Sequence, residues 1–358
     1  MKLENKFQSL HNYIIDEIAQ QSEKLILSEQ DFSAFYSHDL HGNLTHITRK
    51  GMLVNLGMGS GTCADIGLSL DGNRISSLSV SDVDDNALEG QPQVRDTGDG
   101  FTYDADGNMT RDPSRGIAGI EWNVIDKPSR VTFETGEEIV YRYSATGEKL
   151  SEEYRDAGGA VLRRRDYIGN SEFVDGRFDR RQVEGGYLDG RDTYHVYVGD
   201  YQGNVLGVVN TATGETEQYT DYYPYGLPHA TAYAPEVSRR KFGGKEYTTE
   251  FGFNSCDFGA RLHSPLHGSF ISPDPKAGEY THISPYAYCA SDPVNFIDPS
   301  GMVIIFVNGL DGFFSDSAGK PYWTFNSKDY SFVNGATKFF NDKKLVIRNS
   351  NMEQLRVL

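Results

Sequence analysis

The chain repeats one pattern along most of its length: an extended run of aromatic and β-branched residues, a glycine turn, and a second extended run. The turns centre on His41-Gly42-Asn43, Asp71-Gly72-Asn73, Asp106-Gly107-Asn108, Thr146-Gly147-Glu148 and Gln202-Gly203-Asn204. A tight hairpin turn needs positive φ at a central residue, which glycine adopts without strain. The pattern therefore predicts a series of β-hairpins from Asp31 onward. Because a single hairpin cannot bury its own face, the hairpins are expected to stack into one long curled sheet.

The composition leads to the same fold class. Of 358 residues, 38 are glycine, 22 are tyrosine and 20 are phenylalanine, a combination that supplies turns and strands and predicts an all-β fold. The hairpin region is short for a closed container, so an open, incomplete sheet with an exposed edge near residues 31–60 is expected. The net charge of −17 repels phosphate groups, so the sheet is not expected to bind nucleic acid.

Two of the turns lie in segments that resemble the YD repeat (YDxxGNxT) of RHS proteins. Residues 103–110 read YDADGNMT, and residues 36–45 are a looser copy. Later segments resemble, in the same order, the successive steps of the RHS repeat-associated core: residues 197–204, 222–226, 242–246, 257–261, 284–288 and 298–301. On this ordered set the chain resembles the RHS/YD-repeat proteins, a family of polymorphic toxins.

The resemblance implies a domain organisation. Stacked β-hairpins over residues 31–237 would form part of a curled shell, and the associated core over residues 238–302 would close one end. Residues 1–30 would be a polar segment, either a short amphipathic helix or a disordered start. Residues 303–358 would be a short α/β-like fragment of a variable C-terminal effector.

The resemblance also implies a function. The shell would package and present a C-terminal toxin or effector, as in bacterial competition, and the protein would be secreted or held at the cell surface. The implied partners are the chain's own effector, an immunity protein and a secretion machinery. No signal peptide is visible, and no apolar run is long enough to span a membrane. A different function stays open, that of a surface adhesion protein whose repeats bind carbohydrate or protein.

Three Asp-Pro pairs precede the tail: Asp274-Pro275, Asp292-Pro293 and Asp298-Pro299. Two carboxyl groups held close together do not both ionise easily. One can then activate water while the other, protonated, polarises a carbonyl. The resemblance implies that Asp274 and Asp298 work in this way and cut the Met302–Val303 bond by aspartyl autoproteolysis.

We call residues 270–302 the junction. At and just before this segment the sequence departs from the family pattern in two places. The first motif reads Asp-Pro-Lys-Ala-Gly, and Ser269 stands where the resemblance implies an arginine of the catalytic group. Loss of that arginine would remove a fixed charge beside the carboxylates. The alternative interpretation is structural, because Asp-Pro pairs form turns: Asp bonds its own backbone and Pro presets φ. Asp292 is expected to be a turn residue only.

No cofactor and no metal site are predicted. The three cysteines are far apart in the sequence, and His38, His41 and His46 lack the spacing of a zinc site. The basic run at residues 163–165 is expected at a solvated strand edge, where charge discourages pairing.

The tail begins VIIFVNGLDG, which faintly resembles the first strand and oxyanion loop of an α/β hydrolase. The nucleophile elbow of such enzymes, GxSxG, is absent from the sequence. A helix-like stretch at residues 335–340 and a strand-like stretch at 344–347 fit the start of a βαβ unit. The tail is therefore expected to be an incomplete effector without a full active site, or a short appendage that packs on the core.

Overall fold

The computed structural model describes residues 32–52, 60–81, 94–229, 234, 236–302, 305–307, 346–348 and 356–357. The predicted N-terminal segment and the helix-like stretch of the tail lie outside this part of the chain. Every described strand pair upstream of residue 303 is antiparallel, as an all-β chain of hairpins requires.

The first sheet has five strands in chain order. They are β1 (Ala34–His38), β2 (Leu44–Met52), β3 (Ser60–Asp71), β4 (Arg74–Val80) and β5 (Gly98–Asp99). Ile47 of β2 and Ile66 of β3 are cross-strand partners, and both are fully buried. Among the described residues β1 is the terminal strand of this sheet, in agreement with the expected edge near residues 31–60.

A short hairpin leads into the second sheet, which is much longer. The hairpin strands are β6 (Thr102–Tyr103) and β7 (Met109–Arg111). The second sheet has eleven strands, again in chain order. They are β8 (Ile117–Trp122), β9 (Pro128–Phe133), β10 (Glu138–Tyr143), β11 (Lys149–Arg155), β12 (Val161–Ile168), β13 (Ser171–Val174), β14 (Arg177–Val183), β15 (Gly186–Asp189), β16 (Tyr194–Gly199), β17 (Val205–Asn210) and β18 (Thr216–Tyr219).

A compact segment follows and carries the remaining elements. Its four-stranded sheet consists of β19 (Glu246–Thr248), β20 (Ser255–Asp257), β21 (Leu262–Ser264) and β22 (Ser269–Phe270). The short 3₁₀ helices among the described residues are Pro113–Arg115, Phe242–Gly244, Glu250–Gly252, Ala277–Glu279 and Cys289–Ser291. We call residues 238–302 the core segment.

The core segment packs against both large sheets. One cluster of buried apolar side chains contains Ile47 and Ile66 from the first sheet, Ile139 from the second, and Phe258 and Phe270 from the core segment. Burial of this apolar surface is the main force that holds the three sheets together.

The repeated turn motif has a clear physical basis. In the turn after β6, Asp104 Oδ1 accepts hydrogen bonds from the backbone N–H groups of Asp106 and Asn108, and Asp104 Oδ2 accepts one from Asn108 Nδ2. Gly107 between them has a φ of +90°. The turns that begin at Asp39 and Asp200 make the same three bonds to the residues two and four positions later. The Asp, the Gly and the Asn of the YD motif are therefore all required by one turn geometry.

The prediction that the basic run at residues 163–165 lies at a sheet edge is wrong. These residues are in β12, which pairs with β11 on one side and β13 on the other. Their charges are matched instead: Arg163 pairs with Glu250, Arg164 with Asp166, and Arg165 with Glu172. Neighbouring carboxylates thus allow three consecutive arginines in an interior strand.

The last sheet crosses from the core segment into the tail. It consists of β23 (Phe296–Ile297), β24 (Ile305–Val307), β25 (Val346–Arg348) and β26 (Arg356–Val357). β24 pairs antiparallel with β23 and parallel with β25. The residues between β24 and β25 lie outside the described part of the chain, so the βαβ start expected for the tail stays a prediction.

Candidate functional site

Asp298 lies at the start of the tight turn that ends at Met302. Its Oδ1 accepts three backbone N–H groups, from Ser300 at 3.2 Å, Gly301 at 2.7 Å and Met302 at 3.1 Å. Gly301 has a φ of +76°, which lets the chain fold back over the carboxylate. The carboxyl group is almost fully buried, and three donors aimed at one oxygen stabilise its negative charge.

Asp274 begins a second turn of the same design. Its Oδ1 accepts the Lys276 N–H at 2.8 Å, and its backbone carbonyl accepts the Ala277 N–H at 2.9 Å. Burial raises the pKa of Asp274 above its ordinary value, and the nearby charge of Asp298 acts in the same direction. The positive charge of Arg261 and the Lys276 N–H both lower the pKa of Asp274, but burial has the larger effect. Burial thus favours the protonated form of Asp274.

Arg261 joins the two carboxyl groups. One of its terminal nitrogens lies 2.8 Å from Asp274 Oδ2 and 3.3 Å from Asp298 Oδ2. Its Nε donates to the Gly301 carbonyl at 2.5 Å, its other terminal nitrogen donates to the Pro285 carbonyl at 3.0 Å, and its side chain is 2% exposed. The planar fork of arginine suits several acceptors at fixed angles.

The expected loss of a fixed positive charge beside the carboxylates is therefore wrong. Ser269 does stand in β22 where the resemblance implies arginine, but Arg261, at the start of β21, brings a guanidinium between Asp274 and Asp298. Sequence reasoning assigned no role to Arg261. Its signal in the sequence is its place as the last residue of the segment 257–261, which resembles a step of the RHS repeat-associated core.

Asp292 differs from the other two aspartates. Its two carboxylate oxygens both accept hydrogen bonds from Asn295, at 2.9 and 3.0 Å from Nδ2. Asp274 and Asp298, in contrast, each use one oxygen for their own turn and the other for Arg261. The turn interpretation and the catalytic interpretation of the Asp-Pro pairs therefore do not exclude each other.

An open cavity of 790 Å³ lies beside this group. Its lining includes Arg261, Asp274 and Met302, together with Lys127 and Lys149 from the second sheet. The cavity gives water access to the residue that precedes the predicted scissile bond. Val303, on the other side of that bond, lies outside the described residues.

The turns of the repeat hairpins contact the junction directly. The His41 carbonyl accepts the Ser284 N–H at 2.8 Å, and the Gly107 carbonyl accepts the Tyr286 hydroxyl at 2.8 Å. From a third turn, Gln202 Nε2 donates to the Pro293 carbonyl at 2.6 Å. Hairpins that are far apart in the sequence thus hold the segment that carries Asp274 and Asp298.

Two of the histidines that the sequence singles out have separate partners. His38 Nε2 lies 2.9 Å from the Tyr225 hydroxyl, whereas His46 Nε2 lies 2.6 Å from Asp65, so the two rings have different partners. Across the described residues, no group of three His, Cys, Asp or Glu side chains is placed to hold a metal ion. None of the helices in the described part of the chain has the length and apolar character of a membrane span.

Comparisons with known proteins give distant matches. No protein-family model matches the chain. The tRNA(Glu)-specific nuclease WapA of Bacillus subtilis subsp. natto is 25% identical over 248 residues, which are 62% of this chain and 10% of WapA. Salivary gland surface protein 1 of Aedes aegypti is 30% identical over 122 residues, 34% of this chain and 3% of that protein. The chain therefore spans about a tenth or less of these relatives.

A solved structure matches the fold over more of the chain. The crystal structure of TcdB2-TccC3-TEV superposes with a TM-score of 0.54 over 77% of this chain and 14% of that one, at 19% identity. At this identity the match concerns the fold alone. The long antiparallel sheets agree with it. The chain is therefore a distant homologue of WapA, and its all-β architecture is similar to that of TcdB2-TccC3.

Proposed function

We propose that the chain is a segment of an RHS shell that packages a C-terminal toxin or effector and releases it by cutting the Met302–Val303 bond. The observation that carries this proposal is the position of Arg261 between Asp274 and Asp298, beside the turn that ends at Met302. A structural turn needs one carboxylate and its own backbone. A buried and a half-buried carboxyl group on one buried guanidinium are a costly arrangement that a turn alone does not require.

The proposed reaction is hydrolysis with divided roles. Asp274, whose pKa burial raises, is the protonated group that donates a hydrogen bond to the Met302 carbonyl oxygen. Asp298, ionised, accepts a proton from water as the water oxygen bonds to the carbonyl carbon. The C–N bond then breaks as the leaving nitrogen takes the proton that Asp298 accepted from water. Met302 is left with a carboxyl group and Val303 with an amino group. Arg261 holds both carboxyl groups in place.

The cargo and its surroundings follow from the same proposal. The packaged segment is the chain's own C-terminal effector, with an immunity protein and a secretion machinery as further partners, and the protein acts outside the cell that makes it. Because the chain spans about a tenth of WapA, a complete container needs further repeats. The alternative is a surface adhesion protein that is never cut, and the similarity to Salivary gland surface protein 1 favours it.

The experiment is the intact mass of the purified chain during incubation. We expect products of residues 1–302 and 303–358 from the natural sequence, and an uncut chain from Asp274→Asn and Asp298→Asn, because an amide neither ionises nor supplies an acidic proton. Asp292→Asn is the matched control, an Asp-Pro pair outside the Arg261 group, and should be cut at the natural rate. A natural chain that stays whole after long incubation overturns the proposal and leaves the adhesion protein.

A further inference from the structure

The turn that ends at Met302 is held by more than Asp298. Lys245, half-buried at the start of β19, donates from Nζ to the Pro299 carbonyl at 2.5 Å. The next carbonyl, of Ser300, accepts the Ala260 N–H at 3.0 Å, and the next, of Gly301, accepts Arg261 Nε at 2.5 Å. Three consecutive carbonyl groups are therefore each bound by a donor from another part of the chain.

Lys245 reaches this position because the backbone before it turns sharply. Gly243 and Gly244 have φ angles of +57° and +68°, and the Gly244 N–H donates to the Lys241 carbonyl at 2.9 Å. Lys245 then enters the extended conformation, and its ammonium group lies 5.7 Å from the centre of the Phe258 ring. The aromatic ring and the carbonyl together fix a side chain that would otherwise be flexible.

The three hydrogen bonds to carbonyl groups and the three to Asp298 together hold the peptide units that precede the proposed scissile bond. Asp298 Oδ1 draws in the N–H groups of Ser300, Gly301 and Met302, while the three donors draw the carbonyls of residues 299–301 outward. Both ends of each peptide unit in the turn are thus fixed. The first peptide bond after this fixed series is Met302–Val303, the proposed scissile bond.

We propose that Lys245 is a positioning residue for the cut: by holding the Pro299 carbonyl it sets the orientation of the turn that presents the Met302 carbonyl to the two aspartates. This inference rests on the proposed function and adds to it a residue that touches neither carboxyl group. Small displacements of a reacting group have large effects on rate, so a positioning residue is measurable.

The test compares three variants by the time course of intact mass. Lys245→Met keeps the length of the side chain and removes its donor, and we expect cleavage to slow by at least about tenfold. Lys245→Arg keeps a charged donor and should recover most of the rate. Arg177→Met removes one positive charge from an exposed position of the second sheet and should be cut at the natural rate.

A separate measurement excludes general loss of structure. In an uncleavable Asp298→Asn background, the midpoints of thermal unfolding with and without Lys245→Met should agree within a few degrees. Cleavage of Lys245→Met at the natural rate overturns the positioning role and leaves the proposed function standing. Slow cleavage of Lys245→Arg with an unchanged midpoint of thermal unfolding overturns the positioning role as well. A natural chain that is not cut removes the proposed function itself.

Discussion

Arg261 shows how one residue can organise a site. Its guanidinium makes hydrogen bonds to two carboxyl groups and two backbone carbonyls, and its face lies 3.6 Å from the centre of the Phe270 ring. Like charges on Asp274 and Asp298 would repel each other in a buried site, and the guanidinium between them offsets this repulsion. A lysine in the same place would be a point charge without the fork.

We therefore expect Arg261→Lys to be cut at least about 100-fold more slowly, since the loss of one good charged hydrogen bond in a buried site amounts to about 3 kcal/mol. The time course of intact mass measures the rate. Arg163→Lys is the control, because Arg163 is half exposed and pairs with Glu250 at the surface, where such pairs contribute little. An Arg261→Lys chain cut at the natural rate would contradict the assigned role.

At the scale of single residues, the sequence indicates Asp274 and Asp298 as candidate site residues but does not indicate Arg261. Asp274 and Asp298 stand in motifs that can be recognised along the chain, and the structure places both of them on the same guanidinium. Arg261 is 13 residues from Asp274 and 37 from Asp298, so their meeting depends on the packing of β21 against the turns. Local sequence patterns do not contain that information.

At the scale of the elements, the sequence predicts the hairpins better than it predicts which strands and charges lie beside each other in the sheet. Glycine turns between extended runs marked the hairpins, and the structure forms them in chain order. The charge of residues 163–165 predicts a position at a sheet edge, but β12 is an interior strand. Arg164 and Arg165 pair with Glu153 and Glu172 on the two adjacent strands. The pairing of charges across strands depends on register, which the composition of one strand does not reveal.

The hairpin turns are expected to support the cut from a distance. Gln202→Met removes the donor that holds the Pro293 and Val294 carbonyls and keeps the shape of the side chain. We expect the free energy of unfolding to fall by about 1–2 kcal/mol, because a carbonyl loses its partner, and cleavage to slow.

Urea titration of an uncleavable chain and the mass time course measure the two effects of Gln202→Met. Arg191→Met changes an exposed residue of the turn that begins at Asp189, and should alter neither quantity. If Gln202→Met leaves both the free energy of unfolding and the cleavage rate unchanged, the Gln202 turn does not stabilise the junction.

Over the whole molecule, the core segment buries histidines that the site does not use. His263 is fully buried among the rings of Phe258, Phe270 and Tyr288, and burial lowers its pKa to about 3. In the unfolded chain the same ring has an ordinary pKa of 6.5. The unfolded state therefore binds a proton below pH 6.5 that the folded state does not bind, and stability is lost as the pH falls from 6.5 towards 3.

We expect His263→Phe to reduce this acid sensitivity. Each buried neutral histidine contributes a slope of about 1.4 kcal/mol per pH unit in that window, and a phenylalanine contributes none. The measurement is the free energy of unfolding between pH 7 and pH 4.5, in an Asp298→Asn background. Leu40→Gln changes an exposed residue that carries no titrating group and should leave the slope as it is, and equal slopes for His263→Phe and the parent chain would contradict the prediction.

The contacts between the early hairpin turns and the junction also set an order in time. A ribosome makes the turns at His41, Gly107 and Gln202 first and the residues that they hold, Ser284, Tyr286 and Pro293, last. The proposed scissile bond, Met302–Val303, is made later still, so the proposed cut would take place only after the sheets around it had formed. A chain whose hairpins have not folded would keep its tail attached, and separation of the cargo would in itself report that the surrounding sheets had formed.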